Sequence, residues 1–251
     1  MTDPLAAKHF RSAEPSPESQ FPKRFYETVE IVDDDGFAMR LDGRPVRTPG
    51  RAFVAAPNRP IAEAIAAEWE AQSERVDPRT MPATRLANTA LDGVANEPQA
   101  VREDIVRYAG SDLICYRADG PAGLVAREAE VWDPFLDWAQ RDLSANLILA
   151  EGIVHVAQPR EALAAIGAAV RQVDEPFALA SLHVMTALTG SAVIALAVQR
   201  GHVDVGAAWS AAHVDEDWNI AEWGEDAEAA ERRAKREAEM RVAALFATAA
   251  A

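Results

Sequence analysis

The sequence contains little cysteine and has an unequal balance of charge. One cysteine in 251 residues excludes an internal disulfide framework, and nothing points to secretion. The chain carries 25 lysines and arginines against 40 aspartates and glutamates, a formal net charge of −15 at pH 7. This surplus disfavours non-specific binding to DNA, RNA or an anionic membrane, because the electrostatic contribution has the wrong sign. We expect a protein of a reducing compartment.

Motifs of common enzyme classes are also missing. The sequence has neither of the glycine-rich phosphate-binding spacings, G-x-x-x-x-G-K-[ST] or G-x-G-x-x-G, and no G-x-S-x-G elbow. The 5 histidines are scattered, and a zinc site would have to be assembled from distant helices. His213 and Glu216 share a helix face in the manner of two-metal carboxylate bundles, but no other helix offers a second such pair. We expect that the protein is not an enzyme and binds no cofactor. The alternative is a helical hydrolase or metal-binding enzyme centred on Glu216 and His213.

The first part of the chain predicts a small β-rich domain. Residues 1–22 have no apolar stretch typical of a signal peptide and are interpreted as a disordered leader. Strands are predicted over 25–32 and 37–41, separated by a turn at 33–36, and the Asp-Gly pair at 42–43 predicts a hairpin. Pro45 confines the third strand to an edge or irregular position. A helix begins near Asn58 and covers this layer.

The rest of the chain predicts a larger all-α domain, which makes the fold class α+β with domains over 23–95 and 96–251. After a helix opened by residues 96–98, helices are predicted over 123–131, 134–143, 159–173, 176–189, 191–200, 204–223 and 227–246. Only 146–156 is predicted to be extended. The last helix alternates in charge sign, which is typical of a solvated face.

Residues 177–198 contain no charged side chain and are long enough to resemble a membrane span. Their alanine, serine and threonine content makes insertion unfavourable. Gly190 predicts a helix end and Ser191 the N-cap of a new helix. We therefore expect two buried helices and no stable membrane insertion.

The predicted helix over 204–223 places a carboxylate within an apolar stripe. The residues on this face are Trp209, Ala212, Glu216, Ile220 and Trp223. Asp215 and Asp217 fall to either side, while Val214 and Trp218 mark a second apolar face. Desolvation of Glu216 would require a partner, for which Arg85 and Arg47 are candidates, or protonation. Glu216 could alternatively snorkel, cap a neighbouring element or face a binding partner.

Several segments, in order from residue 23 to residue 226, resemble the assembly chaperones that hold the unassembled alpha subunit of F-type ATP synthase. The segments are KRFYETVEI, LDGRPVRTPG, AIAAEWEAQ, MPATRLANTALDG, YAGSDLICYRA, VWDPFLDWA, LTGSAVIALAV and VDEDWNIAEWGED. The resemblance implies a small β-containing domain followed by a helical one, no enzymatic activity, and a surface that covers the beta-facing side of the alpha subunit until exchange.

The resemblance also implies an important carboxylate in the segment VDEDWNIAEWGED. We carry this role to Glu216, with Asp215 and Glu225 as alternatives. The full set of expected client-binding residues is Asp215, Glu216, Trp218, Trp223, Glu225, Arg44, Arg47 and Arg85. The Ala/Glu/Arg helix after residue 226 departs from the family pattern, so the resemblance assigns it no role. We expect a monomer.

Overall fold

The structure, a computed structural model, describes residues 21–33, 36–152 and 155–249. Most of the predicted disordered leader, residues 1–20, lies outside these ranges. The middle of the predicted turn, residues 34–35, and residues 153–154 of the predicted extended segment do so as well.

A four-stranded antiparallel sheet forms the N-terminal layer. Its strands are β1 (Val29–Asp33), β2 (Phe37–Leu41), β3 (Arg44–Pro45) and β4 (Ala55–Ala56), with β2 paired to all three others. Asp42 and Gly43 join β2 to β3 with φ values of 48° and 73°, the left-handed geometry of the predicted hairpin turn. The Asp42 carboxylate accepts hydrogen bonds from the backbone of Thr28 and Glu27, which lowers its pKa.

The first strand begins later than the predicted residue 25. Residues 22–24 instead run beside the connection after the first helix, where Arg24 N donates to Glu74 O at 2.9 Å and Lys23 forms a bridge with Arg75. Phe25 remains outside the sheet and is 71% exposed. The aromatic and β-branched composition was therefore a poor guide to where strand pairing starts.

Three helices follow the sheet: α1 (Arg59–Glu70), α2 (Pro82–Thr89), which continues into a π-helical turn at Ala90–Val94, and α3 (Pro98–Ala109). As predicted, Asn58 caps α1 by accepting from Ile61 N at 3.1 Å. Glu68 of α1 caps α2, because its carboxylate accepts from Ala83 N and Thr84 N at 2.6 and 2.8 Å. The start of α3 was predicted correctly, but Glu97 makes no side-chain cap there.

The remaining chain is mostly helical. Its helices are α4 (Ala122–Leu143), α5 (Arg160–Arg171), α6 (Pro176–Thr189), α7 (Ala192–Gln199), α8 (Val205–Ala211), α9 (Val214–Trp223) and α10 (Ala227–Ala249). Short strands β5 (Tyr116–Arg117) and β6 (Ala150–Glu151) pair in parallel, so part of the predicted extended segment is a strand. Single 3₁₀ turns occur at Pro78–Thr80 and Leu113–Cys115.

Two predicted helix boundaries were wrong. Helix α4 runs through Pro134 without a break, because Trp132, Phe135 and Trp138 are buried on both sides of the proline and hold the helix together. Conversely, the predicted helix 204–223 breaks at Ala212–His213. His213 Nδ1 donates to Trp209 O at 2.7 Å, while the His213 backbone N–H bonds to Ser210 O instead of continuing the α-helical ladder.

Helices α6 and α7 form the centre of the core. Gly190 ends α6 with φ 68°, and Ser191 Oγ accepts from Ile194 N at 3.0 Å to cap α7, as predicted. None of the described helices is both long and apolar enough to cross a membrane. The buried residues form one contiguous cluster that includes residues of both predicted domains. The boundary near residue 95 stays a prediction.

Helix α10 combines two environments. Its first half is largely exposed, with ion pairs such as Arg232–Glu228 and Lys235–Glu231. Its second half is buried against α6, where the rings of Phe246 and Phe177 lie 6.0 Å apart. The charged segment 230–242, from which a solvated face was predicted, is exposed or half-buried except at Met240.

Candidate functional site

Helix α9 is attached to α4 by its second apolar face. Val214 is 5% exposed, and the Trp218 ring lies against Gly123 so closely that a Cβ added there would come within 2.5 Å of it. Just before α9, Ala211 O accepts a hydrogen bond of 2.7 Å from the indole of Trp132. Val214 and Trp218, which were predicted to form a second apolar face, therefore hold α9 in position against α4.

A buried carboxyl group also lies at this junction. Glu128 of α4 is 1% exposed and accepts a hydrogen bond from Ala118 N at 2.9 Å. Burial raises its pKa, and the hydrogen-bonded Asp215 raises it further, while Arg117 opposes both effects. Asp215, one of the expected site residues, therefore has a contact within the protein in addition to its exposure to solvent.

The opposite side of α9 faces a groove of about 480 Å³ between α9 and the start of α10. Glu216, Ile220 and Trp223 contribute to it from α9, and Glu225 lies at its end. Arg233 of α10 reaches across to Asp217 at 2.6 Å and joins the two helices. The groove therefore has charged and apolar walls held in place by an ion pair.

Trp223 and Glu216 are both open to solvent. Trp223 is 86% exposed, the largest value among the large apolar side chains of the described residues, and the Glu216 side chain is 59% exposed. The predicted desolvation of Glu216 was wrong, because the break before α9 turns this helix away from the face that buries Trp209. Tryptophan is enriched among the residues that dominate the energy of protein–protein binding, so an exposed tryptophan at a groove marks a candidate binding surface.

His213 forms the floor of the groove and is 5% exposed. Burial lowers its pKa, so the imidazole is neutral at pH 7, and its Nδ1 is committed to Trp209 O. Its Nε2 lies 3.9 Å from Glu216 Oε2, which is beyond hydrogen-bond distance. The described residues contain no cluster of three or more His, Cys, Asp or Glu side chains suited to a metal ion. This geometry gives the hydrolase alternative no support.

The arginines predicted as partners of Glu216 lie elsewhere. Arg85 of α2 forms an ion pair with Glu239 of α10 at 2.5 Å. Arg47 stacks on Phe53 at 3.8 Å and donates to Arg51 O at 2.7 Å, and Arg44 lies on β3. Neither candidate arginine therefore pairs with Glu216, and of the alternatives left open by the sequence the one in which Glu216 faces a binding partner stays a prediction. The expected site residues fall on three parts of the surface: the α9 region, helix α2, and the hairpin after β2.

Sequence reasoning missed two residues that organise this half of the molecule. Gly123 had no signal beyond its presence near a predicted helix start. Asp112 lies between α3 and a short apolar run that begins at Leu113; it is fully buried, and Val193 N donates to its Oδ2 at 3.1 Å. Burial raises the Asp112 pKa to about 6, although hydrogen bonds from Ser191 and the start of α7 oppose this shift.

Comparison with known proteins places this arrangement in a family. A family model described as ATP12 chaperone protein matches residues 23–140. A crystal structure of a putative chaperone from Agrobacterium tumefaciens superposes with a TM-score of 0.88 at 48% identity, covering 95% of this chain and 93% of that one. Atp12 from Paracoccus denitrificans gives 0.81 at 41% identity, covering 90% and 97%. An aspartate-to-lysine mutant of the P. denitrificans protein gives 0.81 at 41%, covering 89% and 96%. The chain belongs to the ATP12 chaperone family.

Proposed function

We propose that this protein is an assembly chaperone for F-type ATP synthase that binds the unassembled alpha subunit. It shields the surface that later meets the beta subunit and is displaced when the beta subunit arrives. Membership of the ATP12 chaperone family supports the general role, and the motifs quoted above support the choice of client. The observation that carries the proposed site is the exposed Trp223 beside Glu216 at the mouth of the α9–α10 groove.

The physical properties of the groove suit a temporary complex. An exposed tryptophan supplies a large apolar anchor, and surrounding charges supply orientation and specificity rather than most of the affinity. Release by a competing subunit needs no bond to be broken and no nucleotide to be hydrolysed. We therefore propose a non-enzymatic monomer without a cofactor, acting in the cytoplasm of a bacterium or in the mitochondrial matrix of a eukaryote.

The expected residues contribute unequally to this proposal. Glu216, Trp223 and Glu225 face the groove, so they are the proposed contacts with the client. Trp218 and Asp215 hold α9 against α4 and act by positioning it. Arg85 is committed to Glu239, and its effect on the client would be indirect through α10.

A binding titration with isolated alpha subunit tests the proposal. We expect Glu216→Lys and Trp223→Ser to abolish binding, while their melting temperatures stay near that of the parent, because both side chains are exposed. Glu216→Gln should also lose binding if the charge itself is recognised. The matched control is Glu63→Lys, which makes the same charge change at a 58% exposed side chain of α1. Binding by Glu216→Lys and Trp223→Ser equal to that of this control would overturn the proposed site.

A further inference from the structure

A second surface combines the hairpin after β2 with the segment before β1 and shares no lining residue with the α9–α10 groove. It consists of Phe25, Arg44, Arg47 and Phe53, and is called here the arginine–phenylalanine surface. Phe25, Arg44 and Arg47 line one cavity of about 500 Å³, whose floor includes Tyr26 and Trp69. Phe53 extends the surface, because the Arg47 guanidinium stacks on its ring at 3.8 Å.

Both phenylalanines of this surface are largely exposed. Phe25 is 71% and Phe53 52% exposed, so both rings present apolar area to solvent. Isolated exposed apolar residues are common, but Phe25 borders the cavity and Phe53 stacks on Arg47 of its lining, and aromatic rings beside arginines resemble the composition of a binding surface. The cavity is large enough to hold an apolar side chain of a partner.

The arginines of this surface have a different environment from those on the helices. Exposed arginines such as Arg127 and Arg232 pair with Glu130 and Glu228 on their own helices. Within the described parts of the chain, Arg47 has no carboxylate within ion-pair distance; its guanidinium contacts only a carbonyl oxygen and a ring. Its planar fork therefore retains donors for a carboxylate group.

The carboxylates of Asp42, in the hairpin turn, and of Asp92, in the π-helical turn after α2, already accept hydrogen bonds from other groups. Asp42 lies close enough to Arg44 to have its pKa lowered by that charge, but its main contacts are hydrogen bonds from the backbone of Thr28 and Glu27. Asp92 accepts from Thr48 Oγ1 at 2.5 Å and Gly50 N at 2.7 Å. The local acids stabilise the backbone of the hairpin, and the positive charge of the arginines remains available to a partner.

We propose that the arginine–phenylalanine surface binds an extended acidic segment of a partner polypeptide, with an apolar side chain of that segment in the cavity. Charge complementarity favours this occupant: the surface is a small basic area on a chain whose net charge is −15. A nucleic acid or an anionic membrane would extend beyond this area and be repelled by the remaining acidic surface. A few carboxylates on a peptide would meet only the arginines.

The test is fluorescence anisotropy with a labelled peptide that alternates glutamate with leucine and carries one central phenylalanine. We expect binding that weakens as salt is added, and binding of the matching glutamine peptide at least about tenfold weaker. The double variant Arg44→Glu/Arg47→Glu should lose at least about tenfold in affinity, and Phe53→Ser should lose affinity as well. The control Arg141→Glu, at a 68% exposed side chain on α4, should bind as the parent does.

Three results would overturn the proposal. The first is unchanged peptide binding by the double variant, at an unchanged melting temperature. The second is tighter binding of a single-stranded oligonucleotide or of vesicles containing phosphatidylserine. The third is a dimer of the parent that the double variant abolishes, which would identify a second copy as the occupant. Glu216→Lys should bind the peptide normally, so failure of this surface is distinguishable from failure of the proposed alpha-subunit site.

Discussion

The starts of α7 and α9 contain the same chemical group in opposite environments. At the start of α7, the carboxylate belongs to Asp112, a residue distant in the sequence. It is fully buried and accepts a hydrogen bond from Val193 N. At α9, Glu216 lies in the first turn of its own helix and is 59% exposed. Both carboxylates favour the positive end of a helix dipole. Because Asp112 is buried, its carboxylate stabilises the fold. Because Glu216 is exposed, its carboxylate is available to a binding partner.

This difference limits what a motif match can show. Asp112 lies in the segment YAGSDLICYRA and Glu216 in VDEDWNIAEWGED, and both segments resemble the same family. Glu68, in the segment AIAAEWEAQ, caps the helix that begins in the segment MPATRLANTALDG. Two of the family-like segments therefore carry carboxylates that cap a helix elsewhere in the fold, and both are less exposed than Glu216.

The largest expected effect is on stability, at Asp112. Asp112→Ala would leave the buried N–H of Val193 and the Ser191 hydroxyl without the acceptor they use. We expect the free energy of unfolding to fall by about 2–4 kcal/mol in a urea titration. The control Asp204→Ala removes an exposed cap of α8 and should cost only about 1 kcal/mol. Equal losses in the two variants would contradict the structural role assigned to Asp112.

The pH dependence of the same site is set by the raised pKa of Asp112. Its ordinary value of 3.8 rises to about 6 in the folded protein, so the folded state binds this proton more tightly than the unfolded state. The carboxyl group therefore contributes most to stability when it is protonated, and this contribution falls as pH rises from 3.8 to about 6.

The comparison variant for this effect is Asp112→Asn, which cannot titrate and leaves the other carboxylates unchanged. The stability of the parent relative to this variant should decrease across that pH window and then become constant. A difference that is independent of pH, or that grows with pH, would show that the carboxylate is not desolvated.

A smaller effect is expected where α9 rests on α4. Gly123→Ala places a Cβ about 2.5 Å from the Trp218 ring, so the ring and α9 must move. We expect the loss of stability to be about 1 kcal/mol, even though alanine has the better helix propensity, together with a changed tryptophan fluorescence spectrum.

Gly93→Ala is the matched control, because among the described residues no atom beyond the local backbone lies within 4 Å of the added Cβ. This control should be neutral or slightly stabilising. If Gly123→Ala behaves in the same way and leaves the spectrum unchanged, Trp218 does not fix the position of α9.

Local sequence signals predicted the elements whose limits are set by single residues. Gly190 ends α6 and Ser191 begins α7 because a left-handed residue and a hydroxyl cap act within one turn of chain. The hairpin at Asp42 and Gly43 was predicted for the same reason. The α+β class and the position of the candidate carboxylate in the α9 segment also follow from the sequence.

The environment of that carboxylate could not be predicted locally. The break before α9 depends on a hydrogen bond from the His213 side chain to Trp209 O. The periodicity of apolar residues gives no information about such a bond. Without the break, Glu216 would share a face with Trp209 and be desolvated; with it, Glu216 faces solvent. The continuity of α4 through Pro134 could not be predicted locally either. Burial of Trp132 and Trp138 outweighs the tendency of the proline to break the helix.

Hydrogen–deuterium exchange with and without isolated alpha subunit tests the central claim most directly, since it locates the contact on the parent protein itself. We predict slower exchange over α9 and the first turns of α10, and no change in α6 and α7, whose amides are already buried in the core. Glu216→Lys, mixed with the same alpha subunit, should show no protection of α9. Protection confined to other parts of the described chain, with α9 unchanged in the parent, would contradict the assignment of α9 as the client-binding element.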